Sequence, residues 1–240
     1  MKKIRDVLLA STLVMSLLWQ SAGIYAAAPE EEIMKDEVQF VTISNDTYHL
    51  YGAEINVVIK HIEHVENKEV EKRINALIDQ SIEDILTKQE QELKDVYQEN
   101  HQIHTEIGLN LSDYYVDDNL VSFSIDFLQI MASSFQEKTY HTIDLKTGDD
   151  YKLEHWLGKD YAAMVKNEVV RQIDLQNKEN GSDLYFMDEV NKLTILPDQS
   201  YYINKDGQVV VTFPKYQIAP GYLGLPEFIM PINIKEVTVK

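Results

Sequence analysis

The chain has no cysteine. That excludes disulfides, thiolate metal sites, a thiol nucleophile and a lipid-bearing leader cysteine. Basic side chains are also scarce, with 22 Lys and Arg against 40 Asp and Glu, a net charge of −18 over 240 residues. Nucleic acid and anionic lipid are poor partners for such a chain, because their phosphates are repelled. No serine lies in a G-x-S-x-G elbow, and no two of the seven histidines stand four residues apart. Internal repeats are absent. Proline is sparse and unevenly placed: of 6 in the chain, five (Pro197, Pro214, Pro220, Pro226 and Pro231) fall between residues 197 and 231.

What is present begins with a leader. Lys2, Lys3 and Arg5 form a basic start, Val7–Trp19 an apolar run, and Ala26-Ala27-Ala28 a small-residue exit. Export with cleavage near residue 28 is the expectation. A retained anchor is the competing reading, since the apolar run is borderline for a span of about 20 residues. Removing residues 1–28 takes away three basic side chains and one acidic one, which leaves 19 against 39 and a charge of −20. High charge of one sign serves solubility, and it also steers a cationic partner toward the surface. Pro29–Glu37 is acidic, has no apolar period, and reads as a flexible lead-in.

From residue 38 the pattern is α+β. Val38–Ile43 and Tyr48–His64 are β-forming, with Ile55, Val57 and Ile59 alternating against polar positions and Gly52 read as a bulge. Asn67 is a candidate N-cap for a long helix striped by Val70, Ile74, Leu77, Ile78, Ile85, Leu86, Leu93 and Val96. Strands follow at Ile103–Leu111, Leu120–Ile130 and Lys138–Leu145, with turns at Asp117-Asp118-Asn119 and Lys146–Asp149. A second helix runs from Tyr161 to about Leu175 behind a capping Asp160, and a polar loop and short helical turn lead on to residue 191. The expectation is antiparallel sheets each packed by a helix, in two sequential subdomains, 38–150 and 151–240.

The C-terminal segment carries the densest signals. Tyr201–Ile203 and Val209–Phe213 form a hairpin around Asp206-Gly207. Pro214 should end the second strand or sit on an edge, and Phe228–Ile234 returns as the last strand. Between them lies a loop with Tyr216 and Tyr222, stiffened by Pro220 and bent by glycine. Of Tyr201 and Tyr202, adjacent in a strand, one should face in and one out. Tyrosine on a rigid loop presents a flat apolar face at low entropic cost. Tyr216, Ile218, Pro220, Tyr222 and Glu227 are therefore the candidate partner-binding residues.

Neither histidine pair makes a convincing metal site. His61-x-x-His64 ends a strand, where i and i+3 point to opposite faces, and His101-x-x-His104 straddles a helix-to-strand junction. No metal, no cofactor and no catalytic residue is assigned.

The run Y-x-I-x-x-D-G-x-V-V-V-x-F-x-x-Y-x-I-A-P-x-x-x-G-x-P-E-F resembles the C-terminal extracellular domain of RsiV-type anti-sigma factors. The same domain stands beside the deacetylase in PdaC-type peptidoglycan deacetylases. The matching positions are Asp206, Gly207, Tyr216, Ile218, Ala219, Pro220, Gly224, Pro226, Glu227 and Phe228, and Thr139–Trp156 fits the same pattern upstream. The resemblance covers roughly residues 38–240. It implies recognition of lysozyme, a strongly cationic enzyme. It also makes 38–150 PdaC-like, without the separate metal-binding deacetylase domain. RsiV-type proteins carry a sigma-binding segment before the membrane, and only Met1–Asp6 precedes the apolar run here, so sigma-factor signalling is not expected. A non-catalytic envelope protein that binds lysozyme or a similar cationic protein is the expected function. A peptidoglycan-binding accessory module is the alternative, and an enzyme with an unrecognised carboxylate site the remote one.

Overall fold

Tyr51 and Gly52, both at positive φ, fold the first strands into a two-residue hairpin. Strand β1 (Gln39–Leu50) runs back antiparallel as β2 (Ala53–Glu63), with Leu50 opposite Ala53. Two successive positive φ values make the turn type that matches strand twist. Gly52 is thus the turn, and the irregularity lies between Thr42 and Ser44. The computed structural model describes residues 36–99 and 104–236. The expected leader, most of the acidic lead-in, His101 and Ile103 lie outside the described residues. Among the described residues no helix is long and apolar enough to cross a membrane.

Asn67 caps helix α1 (Lys68–Glu99) as expected: its side-chain oxygen accepts from the amides of Glu69 and Val70 at 3.2 and 3.4 Å. Val70, Ile74, Ile78, Ile82, Leu86 and Leu93 form the buried stripe, whereas Val96 is exposed. Asn75 ties the helix to the sheet, donating to Ile62 O at 3.0 Å and accepting from Ile62 N at 2.8 Å. The helix carries the chain back along the sheet, so β3 (Thr105–Val116) enters parallel to β2. This corrects the expectation of a purely antiparallel sheet: a helical crossover returns the chain to the end where the previous strand began. Strands β4 (Leu120–Ile130) and β5 (Ser134–Asp144) complete the order β1-β2-β3-β4-β5. Ile55, Val57, Ile107, Leu109, Phe123 and Ile125 meet the helix stripe, each burial contributing roughly 1.5–3 kcal/mol.

The second half repeats the plan with fewer residues. Helix α2 (Leu153–Leu157) leads into α3 (Tyr161–Asn180), which ends at Gly181 in the left-handed region. Asp160 precedes α3 but its carboxylate makes no capping bond, and the helix extends five residues past Leu175 into the segment read as a loop. Helix α4 (Met187–Lys192) follows. Val165, Val169 and Ile173 of α3 pack with Ile203, Val211 and Phe228 of a three-stranded antiparallel sheet, order β6-β7-β8, and with Phe213 just beyond its middle strand. Its strands are β6 (Tyr201–Ile203), β7 (Gln208–Thr212) and β8 (Glu227–Asn233).

Residues from Val38 onward form one compact unit. Strand β6 lies against the far face of the five-stranded sheet. The amide of Ile203 donates to the buried Ser122 Oγ at 2.9 Å, and Ser122 bonds Thr142 at 2.9 Å. Trp156 Nε1 donates to the Tyr201 hydroxyl at 3.0 Å, which donates to Tyr151 O at 2.6 Å. Tyr201 and Tyr202 are both buried, against the expected alternation. Tyr202 packs on the five-stranded sheet, and Tyr201 and Ile203 join the core around α3, so neither face of the strand meets water.

Candidate functional site

Three fixed points hold the loop between β7 and β8. At its base Phe213 N donates to Pro226 O at 3.0 Å. In its middle Ile218 O accepts from Phe186 N at 2.8 Å, and Ile218 and Ala219 are each only 1% exposed. Past Pro220, a single turn (Gly221–Leu223) closes through Leu223 N to Pro220 O at 3.0 Å and ends at Gly224, at positive φ. Ile218 is therefore an anchor in the core, a correction to its place among the partner-contact residues. Its alternation with exposed tyrosines looks like a recognition pattern, but the middle of the loop turns inward.

The two loop tyrosines point outward. Tyr216 is 58% exposed and Tyr222 74%. Tyr216 sits at φ +70, a strained backbone for a bulky residue. Its ring lies against Gly221, where an added Cβ would fall within 2.5 Å of the ring Cζ and hydroxyl. Only glycine leaves room for that ring. Lys215 Nζ lies 5.3 Å over the same ring and donates to Ser134 O at 2.7 Å and Ser134 Oγ at 3.2 Å. The loop is thereby joined to the tip of the β4–β5 hairpin, where Met131 and Phe135 are also exposed. This link across 81 residues carries no sequence signal.

Glu227, exposed at the start of β8, accepts from the Tyr202 hydroxyl at 3.0 Å. Tyr202 stacks on Tyr114 with centroids 4.0 Å apart and on Tyr140 at 5.8 Å. Burial first, then the Glu227 carboxylate, push the Tyr202 hydroxyl above its ordinary range, so it stays a donor. Lys138 donates to Tyr114 Oη at 2.9 Å and pairs with Asp126 at 3.1 Å. Burial works against the Lys138 ammonium, but those two partners hold its pKa above the ordinary value. Asp126 also accepts from Ser112 at 2.7 Å and from Ser124. The polar heads of Tyr202, Tyr114, Lys138 and Asp126 are all engaged, so they brace the seam under the loop. Sequence reading missed Tyr114 on β3 and Lys138 and Tyr140 on β5, strands that are not adjacent in the sheet.

The histidines are dispersed. His61 bonds Asp79 at 2.8 Å and His141 bonds Asp150 at 2.7 Å. Among the described residues no group of three His, Cys, Asp or Glu side chains is placed to hold a metal ion.

Residues 157–233 match the family model described as a protein of unknown function, DUF3298. The chain is 30% identical over 188 residues to the anti-sigma-V factor RsiV of Bacillus subtilis (strain 168), covering 75% of this chain. It spans 63% of that relative's length. Among solved structures, a DUF3298 family member from Bacteroides fragilis superposes with TM-score 0.61 at 17% identity, over 81% of this chain and 90% of that one. A DUF3298 family protein from Pseudomonas aeruginosa superposes with TM-score 0.57 at 13% identity, over 82% and 92%. These two likenesses show the α+β fold. The C-terminal part of this chain, with its anchored loop and two outward tyrosines, is an RsiV-like domain of the DUF3298 type.

Proposed function

We propose that this chain is an exported, non-catalytic binding protein of the cell envelope that captures a cationic protein, in its sharper form a C-type lysozyme. Tyr216, Pro220, Tyr222 and Glu227 form the contact. The observation that carries the reading is the pair of exposed tyrosines on a backbone fixed at both ends and in the middle. A rigid aromatic loop loses little conformational entropy on binding. The net charge of −18 supplies attraction for a basic partner. The likeness to an anti-sigma factor supports binding rather than catalysis. The lysozyme form comes from the RsiV-type resemblance.

Titration calorimetry of residues 29–240 against a C-type lysozyme, at low and physiological salt, tests it. Binding that weakens with salt and is lost in the Tyr216→Ala, Tyr222→Ala double variant is expected. No heat at either salt would remove lysozyme as the partner. The openness of Tyr222 favours wall glycan as the second reading, since a flat ring can stack on a sugar. Tyrosine-dependent sedimentation with purified sacculi, without lysozyme binding, would select it.

A further inference from the structure

The outer edge of β5 runs beside a cleft under helix α1. On that edge, Tyr151 N donates to Thr142 O at 2.8 Å and Thr142 N donates to Asp150 Oδ1 at 3.0 Å, so Thr142 turns its backbone groups away from β4. Ser134 does the same at the other end, its carbonyl taking Lys215 at 2.7 Å. The β4–β5 register has no shift between these points. Antiparallel strands alternate strictly, so Gln136, Lys138 and Tyr140 also aim N–H and C=O outward. Among the described residues nothing bonds to them there.

The side chains between them, Phe135, Glu137 and Thr139, face α1 across a cleft of about 380 Å³. Gln89 lines it. This residue is 5% exposed, its amide N–H donates to Glu92 at 3.0 Å, and its buried Oε1 has no partner. A buried acceptor without a donor is costly, and a ligand donor relieves it. Ile85, Phe127 and Phe135 supply apolar walls, while Glu92 and Glu137 stand among the lining side chains. Lys88, the one cation lining the cleft, lies 3.9 Å from Glu92. Apolar walls, an orphan acceptor and two carboxylates suit one kind of side chain: a long aliphatic stem ending in a cation.

We propose that the β5 edge from Gln136 to Tyr140 and the cleft under Gln89 together receive an extended basic segment of the protein partner, added as a sixth strand with an Arg or Lys side chain in the cleft. Main-chain bonds to the sheet edge supply affinity and the cleft supplies side-chain choice. The site rests on the reading of a cationic protein partner. It adjoins the aromatic loop through the Lys215–Ser134 link, so one partner can span both.

The test uses the full chain and the blocked peptide acetyl-Val-Thr-Arg-Thr-Val-amide, against the same peptide with norleucine for arginine. Binding is read by fluorescence anisotropy and amide exchange by NMR. At saturation the Gln136 and Lys138 amides slow by about tenfold or more. The inward amides of Phe135 and Glu137, already bonded to β4, change little. The arginine peptide binds about tenfold tighter than its norleucine analogue, the scale of one charge-assisted bond. Gln89→Leu removes that preference. Gln136→Pro deletes an outward N–H that β4 does not use and abolishes binding without unfolding the sheet. Unchanged exchange at Gln136 and Lys138, or equal affinity for both peptides, overturns the proposal. If that happens while lysozyme still binds the tyrosine loop, the strand site alone falls. Protection of β5 by the peptide with no lysozyme binding upholds the strand site and removes lysozyme as its occupant.

Discussion

Tyr216 and Ile218 are two residues apart and do opposite work. Tyr216 accepts a left-handed backbone to lay its ring on Gly221, while Ile218 fills the core beneath. Tyr216→Asn should leave stability within about 1 kcal/mol, since asparagine tolerates that backbone, yet remove the aromatic contact. Ile218→Ala should cost about 2–5 kcal/mol through the cavity it leaves. Urea unfolding and lysozyme titration of both variants check the contrast. Equal loss of stability in the two would mean that Tyr216 is a packing residue. The motif spacing placed the loop correctly, but which of its side chains face water depends on the anchoring of Ile218 O by Phe186, a contact no local pattern encodes.

At the scale of elements, most turns were readable, but the Tyr51-Gly52 turn and the sheet direction were not. Asp117 organises the β3–β4 turn, its carboxylate accepting from Asn119 N and Leu120 N at 2.7 and 2.8 Å. Asp144 does the same after β5, accepting from the amides of Lys146 and Thr147, both at 2.8 Å, and from the Tyr151 hydroxyl. Burial alone would raise its pKa, but those donors together hold it below the ordinary carboxylate value. A carboxyl group with a lowered folded pKa binds protons more readily when the chain is unfolded. Its stabilisation is therefore complete above the unfolded value near pH 4 and is lost as pH falls through the lower folded value. Asp144→Asn should lower stability at neutral pH and flatten the dependence below about pH 4, as read from melting temperature against pH. An unchanged acid limb would remove Asp144 from that role. The parallel β2–β3 pair escaped the strand-by-strand reading because direction is set by the route of the crossover helix, which is a property of three elements together.

The whole molecule depends on the seam at β6. Ser122 is buried where the two sheets meet, bonded to Thr142 and accepting from Ile203 N. Ser122→Ala leaves the Ile203 amide without its acceptor inside the structure and should cost about 1–3 kcal/mol. If the two halves unfold as one body, the variant shifts a single transition. Two separated transitions in a thermal scan would show that each sheet is independently stable. The seam also decides the fate of Tyr201 and Tyr202. Alternation predicts one exposed ring, but a strand held between the five-stranded sheet and the core around α3 has none, and Tyr202 becomes the brace that joins Tyr114, Tyr140 and Glu227.

The sequence by itself determined the α+β class, the long capped helix, most of the strands and turns, the acidic balance and the proline-stiffened loop. Each of these rests on periodicity, turn chemistry or composition, which act over a few neighbouring residues. Only the tertiary structure decided the parallel strand pair, the burial of Ile218 and of both hairpin tyrosines, and the cleft between Gln89 and the β5 edge. Those features arise where residues tens of positions apart are brought together, and burial there is set by what the rest of the chain places on top.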